Sequence, residues 1–490
     1  MGLSALLTTE SVLVLAASYC AYTYISNKVV SPLRKVPGRW YNAVSSIPYN
    51  ILLMRGEQLE YVDQLHREYG PVVRVTPDII SVADADVAHE VYRTHKFAKG
   101  PIYDGFDLAG GPNLFSMRNL GDGLSEFKLR KRLMAPAFTL SALPNLEPMV
   151  ERAGTLPLLR ALDKYAESGE TANMMNLFMR ATFSVMGEVS FGKSFNLIEQ
   201  DHPILEWMAG MLELSVLKFA VGPLAIEKLF PHLFQCHKNT IEFALKAIKE
   251  RRERKDARPD ALQRYLDATD VGPGEVAPLS ELDVVGEVLV QMVAGTDTAA
   301  STLSWAVHRL LAKPETLERL QAELDEVIPS PDTHITHDMV ANLPYLNAVL
   351  SETLRVHPVG AGEPQRCVPE GGFTVGGYFL PAGTILMPGQ YPLHHLDKVW
   401  PEPFEFKPER WLVGSEELHE MKRHFFPFSM GVRACVGRHL AWMELRVMLA
   451  SIVRRYDMAR VPGDDMTPKY QLVVRPRGEQ VSITLQRRTC

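Results

Sequence analysis

The chain is predicted to be mainly α-helical with a smaller β portion, an α+β arrangement. Helical periodicity dominates from about residue 124 to 358, β-branched strand signals occupy residues 69–82, and Gly- and Pro-rich strands and turns follow Pro358. At 490 residues it is large enough for one extensive catalytic unit that encloses a cofactor.

Leu3 to Ile25 is a mainly apolar run long enough to cross a bilayer, interrupted by Glu10. Lys28, Arg34, Lys35 and Arg39 follow it and almost no positive charge precedes it, which places the bulk of the chain on the cytoplasmic side. Residues 1–25 are therefore expected to be a transmembrane anchor. Residues 26–40, basic and carrying Pro32 and Pro37, are expected to be a linker, and residues 41–490 the catalytic domain.

Tyr69 to Val82 reads as a hairpin about the Thr76-Pro77-Asp78 turn. Residues 98–123 read as a long loop carrying Tyr103, Phe106 and Phe115. A capping box, Ser-Glu-Leu-Asp from Ser280, opens a helix that should run to Lys313 before Pro314. Its middle, Gln291 to Ala300, is apolar and small apart from Gln291 itself and Thr296, Asp297 and Thr298, so it should cross the interior. Another helix spans Pro344 to His357, and a last one starts at Gly437 before a strand-rich tail.

Composition excludes several classes. With 46% hydrophobic and 22% charged residues and a net charge of −6, nothing suggests a nucleic-acid partner. Cys20, Cys236, Cys367, Cys435 and Cys490 are odd in number and scattered, which argues against a disulfide framework and for a reducing compartment.

Chemistry concentrates in Phe428-Ser-Met-Gly431-Val-Arg433-Ala-Cys435-Val-Gly437. A cysteine just before a helix N-terminus, near an arginine, should have a lowered pKa, and flanking glycines let the backbone approach a flat ligand. A thiolate is what an electron-donating haem ligand requires. Glu352 and Arg355 share a helix face, where such pairs are usually weak surface contacts. Thr298 either serves chemistry or merely bonds back to the Ala294 carbonyl.

The cysteine loop resembles that of the cytochrome P-450 family, and Ala294-Gly295-Thr296-Asp297-Thr298, Glu352-x-x-Arg355 and Pro408-Glu409-Arg410-Trp411 follow in family order. The resemblance, which looks closest to fungal microsomal members, implies haem b with Cys435 as axial thiolate, Phe428 packed by the sulfur, and Arg433 and Arg366 on the propionates. Where the family often has Trp-x-x-x-Arg this chain has Phe127 and Lys131, so Arg130, Lys131 or Arg132 would make that contact. Glu352, Arg355 and Arg410 would form a buried network holding the cysteine loop. Ala294 and Gly295 would leave room for dioxygen, while Asp297 and Thr298 relay protons.

The implied reaction is monooxygenation of a lipophilic small molecule, such as a terpenoid or polyketide of secondary metabolism. Its electrons would come from NADPH-cytochrome P-450 reductase, with cytochrome b5 as an optional second donor, docking at Lys128, Arg130, Lys131, Arg438 and Arg446. Single-pass anchoring in the endoplasmic reticulum membrane would face the domain to the cytoplasm. The competing readings are a haem-thiolate isomerase or dehydratase and a non-catalytic haem sensor. Pocket segments implied by the same resemblance are Pro101 to Phe115, Leu214 to Phe234, Val290 to Ala294, Val359 to Gly362 and the tail near Leu472.

Overall fold

The computed structural model describes residues 14, 18–19 and 21–490, except 119–122, 222–225, 255–259, 270–278, 361–363, 471 and 490. Most of the expected anchor, residues 1–25, lies outside the described residues, and among the described residues no helix is long and apolar enough to cross a membrane. The segment expected as a linker is docked rather than free. It forms two short helical turns, Ser26–Val30 and Pro32–Lys35, and buries Leu33 and Val36 in a cluster with Val72 and Val82. The Pro37 carbonyl accepts from the Arg74 N–H at 2.7 Å.

The hairpin forms as read, with Val72–Arg74 antiparallel to Ile79–Val82. It extends into a four-stranded sheet through Ile385–Pro388, which pairs parallel with Ile79–Val82, and Arg366–Cys367 at the far edge. A three-stranded sheet joins Ala172–Asn173, Ser482–Arg487 and Tyr456–Arg460, so the tail is stitched to the helical half.

The central helix spans Glu281–Ala312. Its capping box is complete: Ser280 Oγ accepts from the Asp283 N–H at 3.2 Å, and Asp283 Oδ2 accepts from the Ser280 N–H at 2.8 Å. Buried residues occur around most of its circumference, as expected for a helix through the interior. It packs along Met174–Phe191, and a Cβ on Gly295 would lie 2.2 Å from Met186 Sδ. Gly295 thus lets two helices approach closely. Its missing side chain points at Met186, and Gly295 and Met186 both line the cavity.

Pro344–Val356 and the last helix, Arg438–Arg455, form where periodicity and Pro344 placed them. Two further helices, Gln390–His394 and Ser415–His424, lie in the stretch read only as strands and turns. The first is a single turn containing Pro392, too short for a periodic signal.

Candidate active site

The central helix, the cysteine loop, the start of the last helix, the loop near residues 99–115 and the tail at Leu472 enclose a cavity of about 370 Å³. Its walls are largely apolar, with Phe106, Leu114, Leu212, Val290, Val293 and Leu472 among them. Tyr103, Phe106 and Phe115 form an edge-to-face cluster that rigidifies the aromatic loop, with centroids 5.3 and 5.5 Å apart. Among the described residues of 214–234 none lines the cavity, and Leu214 and Leu233 pack against each other.

Cys435 opens onto this cavity and is otherwise enclosed by protein. Its N–H donates to the Phe428 carbonyl at 2.9 Å, which closes the loop. Gly431 has φ +67°, and a Cβ there would stand 2.4 Å from the Arg93 Cα, so both conformation and space demand glycine. Gly437 caps the last helix and has open space where a Cβ would project, which leaves room for a flat ligand. Phe428 also lines the cavity and packs on Trp442, centroids 6.0 Å apart.

Burial pushes the Cys435 thiol up, and the N–H groups of Gly437 and Arg438 with the Arg438 charge pull it back only in part. Arg433 is not among these influences, and its guanidinium lies 3.3 Å from the Phe127 ring centroid.

Four cations, Lys99, Lys131, Arg366 and Arg433, line the cavity together. Lys99, Lys131 and Arg366 make no ion pair with a carboxylate among the described residues. Burial first, then mutual repulsion, lowers the pKa values of Lys99, Lys131 and Arg433, the last to about 9. Gathering like charges beside an apolar cavity is costly unless an anion joins them. A flat apolar macrocycle with two carboxylates fits this arrangement.

Lys131 Nζ donates to the Val432 carbonyl at 2.7 Å, so Lys131, of the three basic neighbours, reaches the site. Arg130 is corrected on two counts: it is 1% exposed and is paired with Glu126, Asp283 (2.7 Å) and Glu287 (3.0 Å). It can neither reach the cavity cations' ligand nor form part of a docking surface. Arg132 is exposed. Lys99 was not foreseen. It sits in the loop noted only for its aromatics, its Nζ 4.2 Å from the Tyr103 centroid and donating to the Phe115 carbonyl.

Along the central helix, Ala294, Gly295 and Thr298 face the cavity. Thr298 Oγ1 donates to the Ala294 carbonyl at 2.6 Å, the bond that sequence reasoning left open as the bland alternative. Asp297 lies off the cavity lining, buried, and accepts from Arg475 Nη2 at 3.0 Å. Burial raises its pKa and Arg475 opposes the shift. Arg475 comes from the tail strand Val474–Pro476, and no local signal marked it. Glu444 also borders the cavity, where burial pushes its carboxyl up to about 8, so it is mostly neutral at neutral pH.

Glu352, Arg355 and Arg410 do come together. Arg355 Nε and Nη2 reach Glu352 at 2.9 and 2.8 Å, and Arg410 Nε reaches it at 3.0 Å. Trp411 Nε1 and the Lys407 N–H, both 2.9 Å away, complete the carboxylate's partners. The pair is wholly buried, so its alternative reading as a weak surface contact is wrong.

A thiol offered to an apolar cavity, with cations gathered at the same cavity, defines a haem-thiolate protein. The chain belongs to the cytochrome P-450 family, whose model matches residues 44–483, and it is accordingly an oxidoreductase carrying haem ligated by a cysteine thiolate. It is similar to the cytochrome P-450 monooxygenase traB of Penicillium crustosum, 30% identical over 92% of this chain and 91% of the relative. It is also similar to monooxygenase acrD of Aspergillus aculeatus, at 28% over 94% and 92%, and to versicolorin B desaturase stcL of Emericella nidulans, at 29% over 91% and 91%. A solved cytochrome P-450 haem domain matches with a TM-score of 0.76 at 23% identity, over 90% of this chain and 95% of that one, which supports the fold.

Proposed function

We propose that the protein inserts one oxygen atom of dioxygen into a lipophilic small molecule, with Cys435 as the iron ligand. The observation that carries this is the shared cavity onto which Cys435, the four cations, Ala294 and Thr298 all open. Bound haem would supply reductive activation of dioxygen. Lys99, Lys131, Arg366 and Arg433 would hold its carboxylates, and the apolar wall would exclude water and favour an apolar substrate such as a terpenoid or polyketide. Thr298, with the Ala294 carbonyl, would hold a proton at the cavity wall. Asp297, held by Arg475, whose side chain is 20% exposed, would exchange protons with water at that edge.

The Thr298–Ala294 bond favours one other reading, a haem-thiolate isomerase or dehydratase that needs no proton relay. One similar protein is named a desaturase, so loss of two hydrogens is an alternative outcome within the same reductive chemistry. Turnover is expected to require reductant and to place labelled dioxygen oxygen in the product of a metabolite that shifts the haem spectrum. Thr298→Ala should then lower product formed per NADPH consumed by about ten-fold while leaving haem content unchanged. Coupling as tight as the parent's would sink the relay and support the isomerase reading.

Electrons would come from NADPH-cytochrome P-450 reductase, with cytochrome b5 as an optional donor. Exposed Lys128 and Arg438 would supply docking charge, and Arg446, bonded to Asn347 at 2.9 Å, would contribute less. Residues 1–25 would anchor the chain in the endoplasmic reticulum membrane, a reading supported by their apolar run and the basic residues after it. Deleting residues 1–25 should move most of the protein to the soluble fraction with haem content intact. Retention of the deleted form on membranes to the same extent as the full chain would remove the anchor.

A further inference from the structure

The buried Glu352 network does not itself hydrogen-bond the cysteine loop among the described residues. Glu352, Arg355 and Arg410 make no hydrogen bond to residues 426–437 among the described residues. Yet the loop must be held, since Ser429 and Gly431 both adopt positive φ, at 56° and 67°. The contact runs through the single helical turn Gln390–His394. Arg355 Nη1 donates to the His394 carbonyl at 2.9 Å. The His394 side chain then accepts from the Phe426 N–H through Nε2 at 3.2 Å. One turn earlier, Gln390 Nε2 donates to the Phe426 carbonyl at 2.7 Å.

We propose that Gln390 and His394 are positioning residues that grip both backbone groups of Phe426 and so transmit the Glu352 network to the loop that carries Cys435. Four features support this. Residues i and i+4 on one helical turn face the same way, so one rigid element supplies a donor and an acceptor spaced for one residue's backbone. Both side chains are buried, Gln390 at 3% and His394 at 0% exposure, where a hydrogen bond is shielded from water. Pro427 follows Phe426 and has no N–H, so residue 426 is the last point before Phe428 at which the loop offers a donor. The Phe426 carbonyl also accepts from the Ser429 N–H at 2.8 Å, and the Phe428 carbonyl accepts from the Cys435 N–H at 2.9 Å, so the gripped residue is two bonds from the thiol's own backbone.

The acceptor role requires an unprotonated Nε2. Burial, with His395 and Arg355 nearby, pushes the His394 pKa well below its usual value, which favours the neutral ring. The turn is anchored at its other end, where the Gly389 N–H donates to the Val82 carbonyl at 2.9 Å. Trp400 Nε1 braces it from outside by donating to the Leu393 carbonyl at 2.9 Å. The clamp is therefore fixed to the sheet on one side and to the ion network on the other.

The test uses the full-length, haem-loaded protein and follows the reduced carbon monoxide complex as its thiolate-type band converts to the non-thiolate form in dilute urea. His394→Leu removes the acceptor, and His394→Gln restores one, because a glutamine Oε1 can take the place of Nε2. Losing one buried hydrogen bond is worth about a factor of ten, so His394→Leu should convert about ten-fold faster than the parent. His394→Gln should stay near the parent, and Gln390→Leu should accelerate like His394→Leu. Leu162→Ala, a core truncation at a fully buried site far along the chain, should lower the melting temperature without accelerating conversion.

Indistinguishable behaviour of His394→Leu and His394→Gln, including failure of both to hold haem, overturns the proposal. So does acceleration by Leu162→Ala equal to that of His394→Leu, since thiolate loss would then follow global stability alone. An unchanged rate in Gln390→Leu removes Gln390 from the clamp. The inference rests on Cys435 as the ligand, and a parent protein with no thiolate-type band would refute that assignment instead.

Discussion

Cys435→Ser is expected to abolish the strongly red-shifted band of the reduced carbon monoxide complex, because that shift reports a thiolate bound to iron. Among the described cysteines, Cys435 alone opens onto the cavity that gathers Lys99, Lys131, Arg366 and Arg433, while Cys367 and Cys236 lie outside its lining. The serine variant keeps the loop geometry, since the N–H bond of residue 435 to the Phe428 carbonyl does not involve the side chain. Haem uptake can therefore persist in part while the thiolate signature is lost. A red-shifted band of parental intensity in Cys435→Ser would end the assignment.

Glu352→Ala is expected to be the most destabilising single substitution away from the haem site. The carboxylate has five hydrogen bonds, from Arg355 (two), Arg410, Trp411 and the Lys407 N–H. Removing it strands a guanidinium that is 0% exposed and leaves the buried Trp411 donor without a partner. Breaking a buried ion pair from one side costs about 3–5 kcal/mol, a large share of a typical domain's stability. Urea denaturation should show that loss, and haem content should fall with it as the Gln390–His394 turn loses its brace. By contrast Glu242→Gln, in an exposed pair with Lys238 at 3.8 Å, should change stability by less than about 0.5 kcal/mol. A Glu352→Ala loss no larger than that of Glu242→Gln would show the network to be dispensable.

The structure also alters how the proton relay is understood. Thr298 and Asp297 are neighbours in sequence, yet Thr298 faces the cavity and Asp297 faces Arg475 behind the helix. Successive helical residues differ by about 100°, and of these two only Thr298 lines the cavity. Arg475, at 3.0 Å, is the side chain that Asp297 meets.

Local order was legible wherever a short-range rule acts alone. The capping box at Ser280, the Pro344 start, the Thr76-Pro77-Asp78 hairpin and the glycine at 431 follow from backbone chemistry within a few residues, and each forms where the sequence puts it. The spacing of Phe428, Gly431, Arg433, Cys435 and Gly437 likewise marked the loop on which the site is built. What remained hidden depends on groups brought together across long stretches of chain. Lys99 joins Arg366, Arg475 reaches Asp297, and Gln390 and His394 grip Phe426 through contacts that no local pattern encodes. A cysteine at a helix N-terminus reads as acidic, and only the packed structure shows that burial opposes the pull of the Gly437 and Arg438 groups on it. Arg130 and Lys131 are adjacent and equally basic, and only packing sends one to three carboxylates and the other to the cavity. Sequence alone determined most of the elements and the chemistry of the cysteine loop, whereas tertiary structure decided which charges meet, because desolvation and pairing are properties of the packed interior.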